Sequence, residues 1–146
     1  MSMKHSAVIG LMAGAGVILA GCGSAAPAEV PPAKVTPIAG SQVQRLQLTG
    51  QAIKRLGIVV QLVRAAKVQA GAREVIPYSA VVYDTDGSTW TYANTAARTY
   101  VRQPITVAAI QGNIAVLSAG PPVGTEVVTV GAAELLGTEY DISGEE

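Results

Sequence analysis

The sequence predicts a mainly β domain, a small barrel or sandwich of short antiparallel strands with one or two short helices. Three observations carry that expectation. Alternating or β-branched runs of strand length recur between Gln44 and Val130. Gly, Asn and Asp turn signals separate them. Only two stretches have the caps or composition of a helix. The region from Gln42 onward is roughly a hundred residues, the size of one domain with one core.

Gln44 to Leu48 alternates polar and apolar, with Leu46 and Leu48 on one face of a half-buried strand. Thr49 is suited to cap a short helix through Lys54 and Arg55, which Gly57 ends. Ile58 to Val63 reads as a strand, with another through Val68, and Val75, Ile76 and Pro77 lead into a strand from Ser79 to Tyr83. Asp84 to Ser88 is a turn signal before Thr89 to Asn94, where Trp90 and Tyr92 share one side, so a hairpin is expected. A loop near Ala96 to Arg98 precedes a strand from Thr99 to Val107, and Gln111 to Asn113 turn the chain into Ile114 to Leu117. Gly120 to Gly124 is a loop, Val127 to Val130 a strand, and Ala132 to Leu136 at least one helical turn. The acidic tail, residues 142–146, is expected to fray.

Ahead of the domain, Lys4 precedes an uncharged apolar stretch from Ala7 to Leu19 that is too short for a comfortable membrane span. A positive start, a short apolar core and a small-residue end make a secretory signal. Leu19, Ala20, Gly21 and Cys22 resemble a bacterial lipobox. That resemblance implies a signal peptide over residues 1–21, cleavage before Cys22, and a diacylglyceryl group with an N-acyl chain on that cysteine. More than one acyl chain gives stable membrane residence. Cys22 is the only cysteine and cannot close an internal disulfide, so lipidation gives the odd thiol a use. Residues 22–41 are rich in Ala, Pro, Gly and Ser, with Pro27, Pro31, Pro32 and Pro37 breaking regular structure. They read as a tether with a reach of roughly 40 to 60 Å. The expected location is therefore outside the cytoplasm, anchored by lipid to the cell membrane or an outer membrane, with the domain at residues 42–141.

Charge is balanced overall, 10 Lys plus Arg against 10 Asp plus Glu, which suggests neither a nucleic-acid partner nor a polybasic lipid-binding surface. Its distribution is uneven. Arg45, Lys54, Arg55, Arg64, Lys67 and Arg73 have no acid between them, and Glu126, Glu134, Glu139, Asp141, Glu145 and Glu146 no base. Either the two ends of the domain lie side by side and attract weakly, or the domain is a dipole that orients against a charged partner.

Catalytic material is scarce. The only histidine, His5, lies in the signal peptide and the only thiol is the lipid acceptor, so neither a histidine-based triad nor a histidine-ligated metal site can form in the mature chain. No enzyme activity and no cofactor are expected. Asp84, Asp86 and Gly87 resemble the opening of a calcium loop, but Thr95 and Ala96 stand where further acids are needed, and a polar turn accounts for all three. No metal is expected. Tyr78, Tyr83, Trp90, Tyr92 and Tyr100 are the main large side chains of a chain without Phe. They can pack the core across strands, or some of them, with Arg98 or Arg102, can anchor an interface.

Ile76 to Tyr83, followed by Asp86, Gly87, Trp90 and Tyr92, resembles the C-terminal membrane-proximal region of periplasmic adaptors, the membrane fusion proteins of resistance-nodulation-division efflux pumps. Tyr100, Arg102, Pro104, Ile105 and Val107, then the loop Gly120 to Gly124, then Glu126 to Ala132 and Leu135 continue the likeness in order. Upstream, Leu48, Thr49, Ala52 and Lys54 to Ile58 are similar to the segment where such adaptors enter their β-rich domains. The likeness covers about Leu46 to Tyr140. The chain departs from it in having no room for a lipoyl-like domain or a long helical hairpin between tether and Arg45. What the resemblance implies is a membrane-proximal domain by itself, able to dock on a transporter permease or a full-length adaptor. The residues expected to dock are Tyr83, Trp90, Tyr92, Arg98, Tyr100 and Arg102. The alternative is a lipoprotein that binds a small apolar ligand or an envelope lipid.

Overall fold

The architecture follows from where each strand must hide its apolar side. The computed structural model describes residues 30–68 and 71–143; the expected signal peptide, Cys22, the expected tether up to Glu29 and the tail at 144–146 lie outside the described residues. Eleven strands form two antiparallel sheets, with helices α1 (Gly50–Leu56) and α2 (Ala132–Ser143). The larger sheet runs β1 (Ala33–Pro37), β2 (Gln44–Leu48), β8 (Thr99–Pro104), β7 (Thr89–Ala96), β11 (Glu126–Val130), β3 (Val59–Leu62), with β6 (Val82–Tyr83) also on β7. The smaller runs β4 (Arg64–Val68), β5 (Gly71–Pro77), β10 (Ile114–Ala119), β9 (Thr106–Gln111). Among the described residues the sheets do not close into a barrel, and the mainly β expectation resolves to a sandwich.

Alternation sorts the core into two layers. Leu46 faces Tyr100, and Arg102 faces Tyr92, across the ladders. Leu46, Tyr92 and Tyr100 join Leu48, Val128, Ala52 and Leu135 in one cluster. This is the side of the larger sheet that the helices cover. The intervening residue Val127 points the other way and joins Ile76, Ala115 and Leu117 in a second cluster between the sheets. Burying each large aliphatic side chain contributes about 1.5–3 kcal/mol, so both faces of the central strands stabilise the fold. Val63 and Ile105 occupy the corners where the chain leaves β3 for β4 and β8 for β9, and both sink into the second cluster. Backbone bonds seal those corners: Val63 N–H donates to Thr125 O at 2.8 Å, and Ile105 N–H to Thr89 O at 3.0 Å.

Helix α1 forms as its caps dictate. The Thr49 hydroxyl accepts from Ala52 N–H, and Gly57 closes the helix in the left-handed conformation at φ 64°. Gly131 marks the entry to α2. Its φ is 88°, and a Cβ there would overlap Ile58 Cδ1, so only glycine lets the helix start against that side chain.

Four expected boundaries are corrected, the first being the strand expected from Thr99 to Val107, which breaks at buried Ile105 into β8 and β9 of different sheets. Ala33–Pro37 is a strand, register-paired from Ala33 opposite Leu48 to Pro37 opposite Gln44, so the folded part begins ahead of residue 42. Pro37 is tolerated because it ends an edge strand, where a missing N–H costs no ladder bond. Tyr78–Ala80 is a 3-10 turn, and only Val82–Tyr83 of the strand expected at Ser79 to Tyr83 pairs, because Ala80 is fully buried in the corner between the sheets. Helix α2 continues through Ser143, past the start expected for a frayed tail.

Candidate functional site

Arg102 is the electrostatic centre of the domain. It is 5% exposed, and its Nη1 donates to Asp84 Oδ2 at 2.6 Å and to the Tyr140 hydroxyl at 3.3 Å. Its Nε stands 3.3 Å from Glu139 Oε2, at ion-pair distance but without hydrogen-bond alignment. The guanidinium also lies 4.6 Å from the centre of the Trp90 ring, a cation-π contact. Glu139, 2% exposed, accepts from the Tyr92 hydroxyl at 2.6 Å and from Gln44 N–H at 3.1 Å. Tyr140 donates to Asp84 Oδ1 at 2.6 Å. Two strands, the β6–β7 turn and α2 thus meet at one guanidinium.

The network sets the protonation of its members. The Tyr140 hydroxyl bond, then the Thr85 N–H and the Arg102 guanidinium, lower the Asp84 pKa to about 2. Burial, and the bond to Glu139, push the Tyr92 hydroxyl well above its ordinary range, so it remains a donor. Asp86 instead accepts from Ser88 N–H at 2.8 Å within its own turn. The two aspartates that resemble a calcium-loop opening therefore do different work, one locking α2 and the other closing a turn. Among the described residues no three His, Cys, Asp or Glu side chains gather to hold a metal.

Of the six residues expected to dock, Tyr92, Tyr100 and Arg102 are buried, which removes them from any surface. Their period-2 spacing with Leu46 turns them toward the helices, whose position the sequence pattern did not reveal. Trp90 is half-buried under Arg102, with its Nε1–H donating to Ser88 Oγ at 2.7 Å. Tyr83 and Arg98 are exposed, on different parts of the domain. The stretch Ala97–Arg98 turns β7 into β8, whereas Tyr83 sits where β6 meets β7.

The structure adds Tyr78 to Tyr83. Their hydroxyls are 3.3 Å apart, and the rings are 42% and 52% exposed. Each borders an open cleft. Tyr78 lines one of about 810 Å³ with Gln61, Arg64, Pro77, Asn113 and Ile114, and Tyr83 one of about 450 Å³ with Ser79, Thr129, Gly131 and Glu134. The pair is a ridge between two depressions. Pro77 ends β5 and the 3-10 turn swings Tyr78 outward; the Pro-Tyr pair was the only sequence signal for it. A third, more apolar cleft of about 320 Å³ lies between Pro31, Pro32, Leu48, Ala52 and Leu56.

Among the described residues no helix is long and apolar enough to cross a membrane. Compared with known protein families, curated proteins and solved structures, the chain matches none.

Proposed function

We propose that this chain is an exported, membrane-anchored lipoprotein whose β domain docks on, or modulates, an efflux or secretion transporter complex. The observation that carries the reading is the Tyr78–Tyr83 ridge, two large exposed aromatics in hydroxyl contact beside open clefts. Amphipathic aromatics of this kind anchor interfaces, because they bury much area while keeping a polar tip. Both tyrosines belong to the segment Ile76 to Tyr83 that resembles periplasmic adaptors. The chemistry is binding rather than catalysis: the ionisable groups with large shifts are engaged in holding α2 to the sheet.

The test is cross-linking in intact cells, affinity capture, and comparison with a Tyr78→Ser/Tyr83→Ser variant. A transporter permease or full-length adaptor captured by the wild type and lost from the variant is expected. Capture that survives the double substitution refutes the ridge as the docking surface, and the absence of either partner refutes the transporter reading. The alternative, a carrier of a small apolar ligand or envelope lipid, rests on the cleft at Pro31 and Leu56. At about 320 Å³ it is at the small end of ligand pockets, which span roughly 300–1,000 Å³. Native mass spectrometry of the purified domain tests it through a retained ligand.

A further inference from the structure

Balanced net charge conceals a local imbalance where the chain enters the domain. Thr49 N–H donates to Pro32 O at 3.0 Å, which lays the incoming chain against the cap of α1. Lys54 and Arg55 line the cleft that Val30, Pro32 and Gly50 also line. Arg98 reaches the same place, with Nη1 4.0 Å from the point a Cβ on Gly50 would occupy. Lys34 stands opposite Gln47 at the start of β1, and Arg45 lies two residues before Gln47, both on the side of the β1–β2 edge turned away from α1. All five cations are exposed, and none forms an ion pair among the described residues. Asp141 shares a cleft with Arg55.

Arg98 adds an independent sign. Among the described residues it is the one non-glycine at positive φ, 58°, a conformation that costs an L-residue about 1–2 kcal/mol. Its guanidinium approaches the start of a helix whose first turn carries no acid to receive it. A residue at positive φ whose side chain forms no ion pair among the described residues points toward function.

We propose that this entry end, with cations on both sides of the β1–β2 edge, rests on anionic phospholipid headgroups, an inference that depends on the lipid-anchor reading. From Cys22 to Val30 the chain reaches about 25 Å at 3.1 Å per residue, about half the 40 to 60 Å expected of a tether over residues 22–41. The entry end is therefore the part of the domain held closest to the bilayer. Exposed cations spread over both sides of a sheet edge suit a dense field of phosphates better than one bound anion. Their attraction acts within a Debye length, about 8 Å at physiological salt, so contact requires the short tether. The Tyr78–Tyr83 ridge lies away from this face: β1, where the chain enters, and β3, whose Gln61 borders the ridge's larger cleft, are opposite edges of the same sheet. A domain seated this way leaves the ridge free for a partner.

Because Cys22 is the only thiol, the mature chain can be coupled through it to a maleimide phospholipid in vesicles, whether or not cells acylate it. Amine labelling read by mass spectrometry then compares Lys34 and Lys54 with Lys67, which is exposed on the smaller sheet. In vesicles of phosphatidylcholine mixed with phosphatidylglycerol, Lys34 and Lys54 are protected and Lys67 is not; in phosphatidylcholine alone, or in high salt, all three label alike. Each cation removed weakens the contact about fivefold, so Arg55→Gln/Arg98→Gln lowers the equilibrium constant for seating about 25-fold. Equal labelling in the two vesicle types, or protection that this double variant leaves intact, overturns the proposal. The anchor reading fails separately, if Cys22 of protein taken from cell membranes has no acyl mass.

Discussion

Substituting Glu139 by Ala tests whether the polar network, rather than apolar burial alone, holds α2 on the larger sheet. The carboxylate is 2% exposed and has the Tyr92 hydroxyl at 2.6 Å, Gln44 N–H at 3.1 Å and Arg102 Nε at 3.3 Å as neighbours. Its removal leaves two buried donors without an acceptor, at about 1–3 kcal/mol each. Arg102 keeps Asp84 and Tyr140 but loses its second countercharge. A loss of about 3–5 kcal/mol follows, the range for breaking a buried charge pair from one side. Glu139→Gln keeps the size and one acceptor and costs less, about 1–3 kcal/mol. Urea denaturation checks both through the midpoint at unchanged slope. A loss below about 1 kcal/mol for Glu139→Ala refutes the reasoning. So does a Glu139→Gln/Tyr92→Phe cycle that is additive within about 0.5 kcal/mol, because residues sharing a short buried bond must couple.

Arg98→Gly relieves the positive φ and is expected to raise stability by about 1 kcal/mol in the same denaturation assay, while weakening the seating on anionic vesicles. Gly131→Ala is expected to cost about 2–4 kcal/mol, since it combines left-handed strain with overlap onto Ile58 Cδ1; thermal melting measures it. Asp84 titrates at about 2 in the folded chain, below the ordinary carboxylate value, so its contribution is complete above about pH 4 and disappears as pH falls toward 2. Urea midpoints measured across that window should fall for the wild type and less steeply for Asp84→Asn.

Local chemistry was legible wherever one short segment decides its own conformation. Thr49 and Gly57 bracket α1 as their capping preferences require, Leu46 and Leu48 face inward as alternation requires, and Gln111 to Asn113 turn the chain between β9 and β10. The mainly β class follows from many such decisions pointing the same way. What the sequence could not reveal was the second covering of the larger sheet. Period-2 spacing says that Tyr92, Tyr100 and Arg102 share a side, but not whether that side meets water or a helix. Helix α2, arriving far later in the chain, covers that side together with α1, and its Glu139 holds Tyr92 and Arg102, which turns expected docking residues into a lock. Pro37 misled for the same reason, since a proline breaks structure locally yet is harmless on an edge strand, and only strand order shows which strands are edges. Charge behaved likewise. The totals cancel, and the cations around Val30 become neighbours only when β1, α1 and the β7–β8 turn are brought together. Sequence alone determined the propensities of each segment, because these depend on neighbours a few residues away; tertiary structure decided which faces are buried and which charges meet, because those depend on residues distant along the chain.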